Sequence, residues 1–160
     1  MLRMGKLTDY GTLILTHLVD QGCVPASEIA ERTRLGPATV AKILKALGRA
    51  GIVQSERGVR GGYTLSRGAG EISAAQIIDA LEGPVAITEC SSAGGACELE
   101  TVCGVGSAWQ HINVAIRRAL GDISLAQLAN WQRGMVPVMD FGPAERAGHN
   151  SSLQMSEADD

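Results

Sequence analysis

Residues 37–67 read PATVAKILKALGRAGIVQSERGVRGGYTLSR, and the change of period inside this stretch decides the fold. Pro37 carries a backbone torsion already suited to a first helical position. Val40, Ile43, Leu44 and Leu47 then recur at i, i+3, i+4 and i+7, the buried stripe of an amphipathic helix expected to run to about Ala50. Thr39, Lys42, Lys45 and Arg49 stay off that stripe, so the solvent face is basic. After Gly51 the period shortens. Ile52 and Val53 open one short strand, Tyr63, Thr64 and Leu65 open its return, and a tip rich in Gly and Arg joins them.

Upstream, a shorter helix is expected from about Ser27 to Thr33, with Glu28 and Glu31 early, where the helix dipole favours acids. Arg34, Leu35 and Gly36 make a tight turn between the two helices. Two short helices across such a turn, the second one basic, form a helix-turn-helix pattern. The β-hairpin that follows makes it a winged helix. Thr8 is expected to cap a first helix, in which Tyr10, Leu13, Ile14 and Leu18 recur at helical spacing until Gly22. His17 beside that stripe reads as a packed or surface residue, and Cys23 as a small packed one.

Downstream, two helix starts carry the same signature. Ser73 with Gln76 forms a capping box, and Ile72 can staple onto Ile77, in a helix ending at Gly83-Pro84. Ser124 with Gln127 repeats the arrangement, with Ile123 opposite Leu128. Between them a helix is expected from about Ser107 to Leu120, with Gly121 as a left-handed stop. Trp109, Ile112, Ile116, Ala119 and Leu120 mark its apolar side. That side can be a core stripe, or a dimer seam, because 109, 112, 116 and 119 follow an a/d pattern. From about Gln132 onward periodicity vanishes, and an acid-ended disordered tail is expected. The fold class is thus mainly α with a small β-hairpin wing. Residues 1–83 form a winged helix-turn-helix DNA-binding region, 84–131 a cysteine loop with dimerisation helices, and 132–160 the tail.

The net charge of −3 conceals a division. Between Arg32 and Arg67 the bases are Arg32, Arg34, Lys42, Lys45, Arg49, Arg57, Arg60 and Arg67, against the single acid Glu56. From Gly68 to the end there are twelve acids and four bases, and from Gly68 through Ile116 no Lys or Arg at all. Such asymmetry implies a face built for a polyanion. With the helix and wing it points to double-stranded DNA, a protein-contact module being the alternative. Thr39 and Lys42 are placed to reach bases or flanking phosphates. Lys45, Arg49 and Arg67 supply phosphate attraction. Arg57 and Arg60 flank the wing tip, which Gly58, Gly61 and Gly62 let turn sharply, and Tyr63 completes the candidate DNA-binding set.

No run of about 18 apolar residues suggests a membrane helix, and no secretory signal is visible. A cytoplasmic protein is expected, in which thiols stay reduced. No Ser/His/Asp or Cys/His grouping is apparent, and the three histidines lie far apart in sequence, so no enzyme is expected.

One stretch remains: CSSAGGACELETVC, residues 90–103, holds three of the four cysteines. Reactive thiolates need a nearby cation to lower their pKa, and here Glu89, Glu98 and Glu100 surround the thiols instead. A bound metal overrides such neighbours. Structural zinc usually takes ligand pairs two to four residues apart, whereas these gaps are six and five residues. Small residues from Ser91 to Ala96 can fold back around a larger object, which favours an iron–sulfur cluster. Zinc and redox thiols remain the alternatives.

Taken together, KLTDYGTLIL (6–15), the ERGVRGGYTLSR wing (56–67) and the three-cysteine loop before a Trp-containing helix resemble the IscR, NsrR and RirA family. These are winged-helix repressors that carry iron–sulfur clusters, and the chain most resembles their regulators of Suf-type iron–sulfur assembly genes. The resemblance covers residues 1 to 131. It implies a homodimer paired through the helix containing Trp109, and ligation of a cluster by Cys90, Cys97 and Cys103, with 4Fe-4S favoured over 2Fe-2S. IscR-type members have a histidine three residues after the last cysteine, where this chain has Gly106; His111 reads as a surface residue of the dimer helix. NsrR-type members take an aspartate from the partner's first helix, the position that Asp9 matches, although a plain helix-end charge explains Asp9 equally well. The resemblance further implies repression that ends when the cluster is lost.

Overall fold

The computed structural model describes residues 5–58, 61–88 and 104–132. The chain runs α1 (Lys6–Leu18), α2 (Ala26–Thr33), α3 (Pro37–Arg49), β1 (Val53–Glu56), β2 (Gly62–Leu65), α4 (Ala74–Glu82), α5 (Gly106–Gly121) and α6 (Leu125–Gln132), with a 3-10 turn at Ala69–Glu71. This is the expected helical fold with an antiparallel hairpin wing. Val53 pairs with Leu65 and Glu56 with Gly62.

The core follows the apolar stripes. Ile14, Leu15 and Leu18 of α1 meet Ile29 of α2 and Val40, Ile43, Leu44 and Leu47 of α3, all buried. Ile72, Ile77 and Leu125 join them, which ties α4 and α6 to the helix-turn-helix. Arg34 takes a left-handed conformation (φ 56°) to end α2, so the Arg34–Gly36 turn forms as its sequence suggests. Among the described residues, no helix is long and apolar enough to cross a membrane.

The repeated capping signatures prove to be two halves of one joint. Ser73 N and Gln76 N each bond the other's side chain, and Ser124 and Gln127 do the same. The two serines then pair as an antiparallel bridge, with Ala74 N donating to Ile123 O (2.8 Å) and Leu125 N to Ile72 O (2.7 Å). Each helix start thus satisfies backbone groups of the other.

Two expected helix ends differ. Thr8 does not cap α1, which starts at Lys6 after Gly5. Thr8 is buried, and its hydroxyl donates to Glu82 Oε1 (2.5 Å) at the far end of α4. Glu82 also accepts from the backbone of Gly5 and Thr8, so a carboxylate from another helix meets the donors left open at the α1 start. Gly5 permits the approach, because a Cβ there would lie 2.6 Å from Glu82 Oε1. Gly121 is the second case: it remains helical, and Asp122 ends α5 by donating to Arg118 O (2.9 Å).

The Thr8 hydroxyl, then the Gly5 backbone, hold the Glu82 carboxyl below the ordinary glutamate range. A carboxylate whose folded pKa is depressed adds stability that is complete above its unfolded value and is lost as pH falls through the folded one. Glu82→Gln should therefore be less stable than wild type at neutral pH, and the difference should close below about pH 4. Urea midpoints at the two pH values check this; a gap that persists in acid counts against it.

Candidate nucleic-acid interface and the junction behind it

The third helix turns its apolar stripe inward and leaves one face in solvent. Lys42, Lys45 and Arg49 are exposed on that face, and Thr39 is half-buried at its edge. Ala38 and Ala41 are also exposed there. Sequence reading passed over them because alanine signals only helix propensity, yet a methyl group on such a face suits contact with a thymine methyl. Lys45 lines a groove between α3 and the hairpin, together with Gln54, Ser55, Tyr63 and Ser66.

The wing divides into a tip and a root. Arg57 and Gly58 are exposed, and Gly58 has φ +121°, a conformation open to glycine. Arg60 lies outside the described residues. Gly61 packs so tightly that a Cβ would lie 2.5 Å from Glu56 O. Gly62 is buried against the Val24 backbone at the ladder position paired with Glu56, which gives it a packing role in place of the expected tip role. Beside it, Tyr63 is half-buried and exchanges two backbone hydrogen bonds with Val24 (2.8 and 2.9 Å). Cys23 next to this bridge is half-buried, and burial and then the Glu56 carboxylate push its thiol pKa up, as suits an inert side chain.

Arg67 corrects the sequence reading. At the surface its guanidinium donates to Gly51 O (3.0 Å), Gln76 Oε1 (3.2 Å) and Glu71 O (3.4 Å), so it clamps the wing's root to the start of α4. A phosphate contact and a clamp respond differently to salt. Lys45→Ala should lower the slope of log affinity against log salt by about 0.9. Arg67→Ala should leave that slope unchanged and cost about 1 kcal/mol of stability. Operator titrations at several salt concentrations, with thermal melts, separate the two.

Behind the reading face lies a junction that no local pattern announced. Asp79 of α4 accepts from both terminal guanidinium nitrogens of Arg117 on α5, at 3.1 and 2.7 Å. Its Oδ1 also accepts from Val85 N (3.2 Å), in the segment that follows α4. The cysteine loop starts just beyond. Cys90, Cys97 and Cys103 lie outside the described residues, which resume at Gly104 directly before α5. Among the described residues, no cluster of His, Cys, Asp and Glu could hold a metal ion. Asp9 is exposed in the first turn of α1, and His111 is exposed on α5 with Nδ1 2.8 Å from Ser107 O.

The apolar side of α5 is a surface. Val105, Trp109 and Ile112 are 57, 39 and 43% exposed and Leu120 is half-buried, so within one chain the first half of that stripe is not core. Ile116 is half-buried, and Asn113 on another side is buried.

Comparison with known proteins fits this arrangement. Residues 4–131 match the Rrf2 family, described as iron-dependent transcriptional regulators. The chain is 29% identical to the HTH-type transcriptional regulator IscR of Cronobacter sakazakii, over 97% of this chain and 94% of that protein. It is 32% identical to the IscR of Xenorhabdus nematophila, over 79% and 80%. Among solved structures it resembles CymR, the global cysteine regulator of B. subtilis (TM-score 0.64, 28% identity, 82% of this chain and 98% of that one). It also resembles T. potens IscR (TM-score 0.61, 26% identity, 85% and 93%). A winged helix with a basic third helix, matched over this length, places the chain in the Rrf2 family, as a DNA-binding transcriptional regulator and not an enzyme.

Proposed function

We propose that the chain is a homodimeric repressor of iron–sulfur assembly or iron genes that senses cluster status through an iron–sulfur cluster held by Cys90, Cys97 and Cys103. The observation that carries this reading is the position of the three-cysteine loop, between the end of α4 and the start of α5. Three thiols in an acidic loop suit a cluster by their chemistry, since free thiolates are disfavoured there. Cys90, Cys97 and Cys103 would hold the cluster, and three thiolates alone would leave it one weakly held iron that could react with oxygen or nitric oxide or be lost in iron shortage. Asp9 from a second copy is the candidate ligand to that iron, and a 4Fe-4S cluster is favoured over 2Fe-2S.

The remaining steps belong to the protein. The apolar face of α5, with Trp109 and Ile112 exposed, meets the same face of a second copy. Pairing through α5 sets the separation of the two α3 helices, which must match half-sites about 34–36 Å apart or multiples of that. A small rotation of α5 then shifts both reading heads at once. The exposed Lys42, Lys45 and Arg49 neutralise phosphates, and Thr39 and Lys42 reach base edges.

Anaerobic purification tests the reading. Brown protein with broad visible absorbance, iron and acid-labile sulfide supports it. Colourless protein with stoichiometric zinc, or with redox-active thiols alone, supports the alternative of a zinc or thiol regulator. The likeness to CymR, named a cysteine regulator, makes that alternative worth the assay, because the fold alone does not select the signal.

A further inference from the structure

We infer that Asp79 is the positioning residue through which the state of the cysteine loop reaches both the dimer helix and the DNA-reading half. The inference rests on the cluster reading above and names the contact that would transmit it. Asp79 sits on α4, between Ile78, which is buried, and Ala80, which packs on the core shared with α1 and α3. Its backbone therefore moves with the winged helix. Its carboxylate faces the other way and makes three bonds to two distinct elements. Arg117 Nη1 and Nη2 donate to Oδ1 and Oδ2 (3.1 and 2.7 Å), a forked pair that fixes direction as well as distance. Val85 N donates to Oδ1 (3.2 Å), which holds the chain where it leaves α4 toward the cysteine loop.

One carboxylate thus joins three parts: the reading half through α4, the loop's entry through Val85, and the dimer helix through Arg117. α5 packs on α4, so this pair lies within the contact that sets its angle. The pair is about one-third exposed, with side chains 37% and 31% accessible. A pair so exposed adds little to overall stability. Its geometry matters more than its strength: a pull on Val85 turns the carboxylate that Arg117 grips, and α5 turns with it.

The test compares Asp79→Asn with wild type, both purified anaerobically as full chains. Operator binding is read by fluorescence anisotropy, before and after the cluster is removed, on a duplex selected by the wild-type holo protein from a random-sequence pool. Asp79→Asn should keep its visible absorbance and its dimer mass, while the ratio of holo to apo affinity falls by about fivefold. Arg117→Ala should reproduce the fall with Val85 still bonded, which places the effect in the α4–α5 arm. The exchanged pair Asp79→Arg with Arg117→Asp should recover part of the ratio. A variant that keeps the full wild-type ratio overturns the inference alone. Loss of the cluster or of the dimer in Asp79→Asn also overturns it, because the role is then structural. A wild-type protein whose affinity ignores cluster removal overturns the cluster reading itself, and this inference with it.

Discussion

Cys97→Ser should yield colourless protein under anaerobic purification and should weaken operator binding by about 5–150-fold, the range of coupling free energies of about 1–3 kcal/mol. Cys97 is the middle thiol of the loop, with six residues separating it from Cys90 and five from Cys103. Removing it takes away the donor that the other two flank, and two thiolates with acidic neighbours hold a cluster poorly. On the cluster reading proposed above, α5 then loses the brace that fixes its relation to α4. The winged helix itself should survive, because its core of Ile14, Leu15, Val40, Ile43, Leu44 and Leu47 lies elsewhere. Unchanged thermal melting of the N-terminal half, with lost operator affinity, is the combination to look for. Serine variants of Cys90 and Cys103 should behave alike, whereas Cys23→Ser should not, since Cys23 sits beside the Val24–Tyr63 bridge of the wing.

Gly62→Ala is the second large effect, and it acts on the fold. A Cβ at Gly62 would lie 2.4 Å from both the carbonyl carbon and the oxygen of Val24, and 2.8 Å from Pro25 N. These are backbone atoms, so no side chain can swing aside. The wing must lift from the strand-like segment before α2. That costs the two backbone bonds between Val24 and Tyr63 as well as the packing of buried Val24. Overpacking and lost bonds together amount to roughly 2–4 kcal/mol. Operator affinity should fall too, because the wing no longer stands at a fixed angle to α3. Gly70→Ala is the control: nothing lies within 4 Å of its Cβ, so its stability should stay within about 0.5 kcal/mol of wild type. Urea denaturation of the two variants side by side measures the contrast.

Most of the fold was legible because it is written locally. The stripe from Val40 to Leu47, the Pro37 start, the hairpin after Gly51 and both Ser–Gln capping boxes each announce themselves within a dozen residues. What was hidden is what joins distant positions. Nothing near Thr8 reveals that its partner is Glu82, and nothing near Asp79 reveals Arg117. Arg67 looks like any arginine of a basic segment until Gly51, Glu71 and Gln76 are seen around its guanidinium. Gly62 reads as turn chemistry, yet its absent Cβ matters for a neighbour in another segment. The α5 stripe is a different case: periodicity gives a face but not its partner, so core and seam carry the same pattern. Exposure of Trp109 and Ile112 takes these two out of the core of a single chain. The cysteine loop falls outside the described residues, and its reading rests on donor chemistry and spacing.

Cluster control of DNA binding is tested most directly in a single anaerobic cuvette. Labelled operator is held with the holo protein, nitric oxide is added in steps, and anisotropy and visible absorbance are recorded together. The expected result is that operator release follows bleaching of the cluster step for step, with no release from a sample to which only buffer is added. An operator that stays bound after the visible absorbance has gone would contradict it.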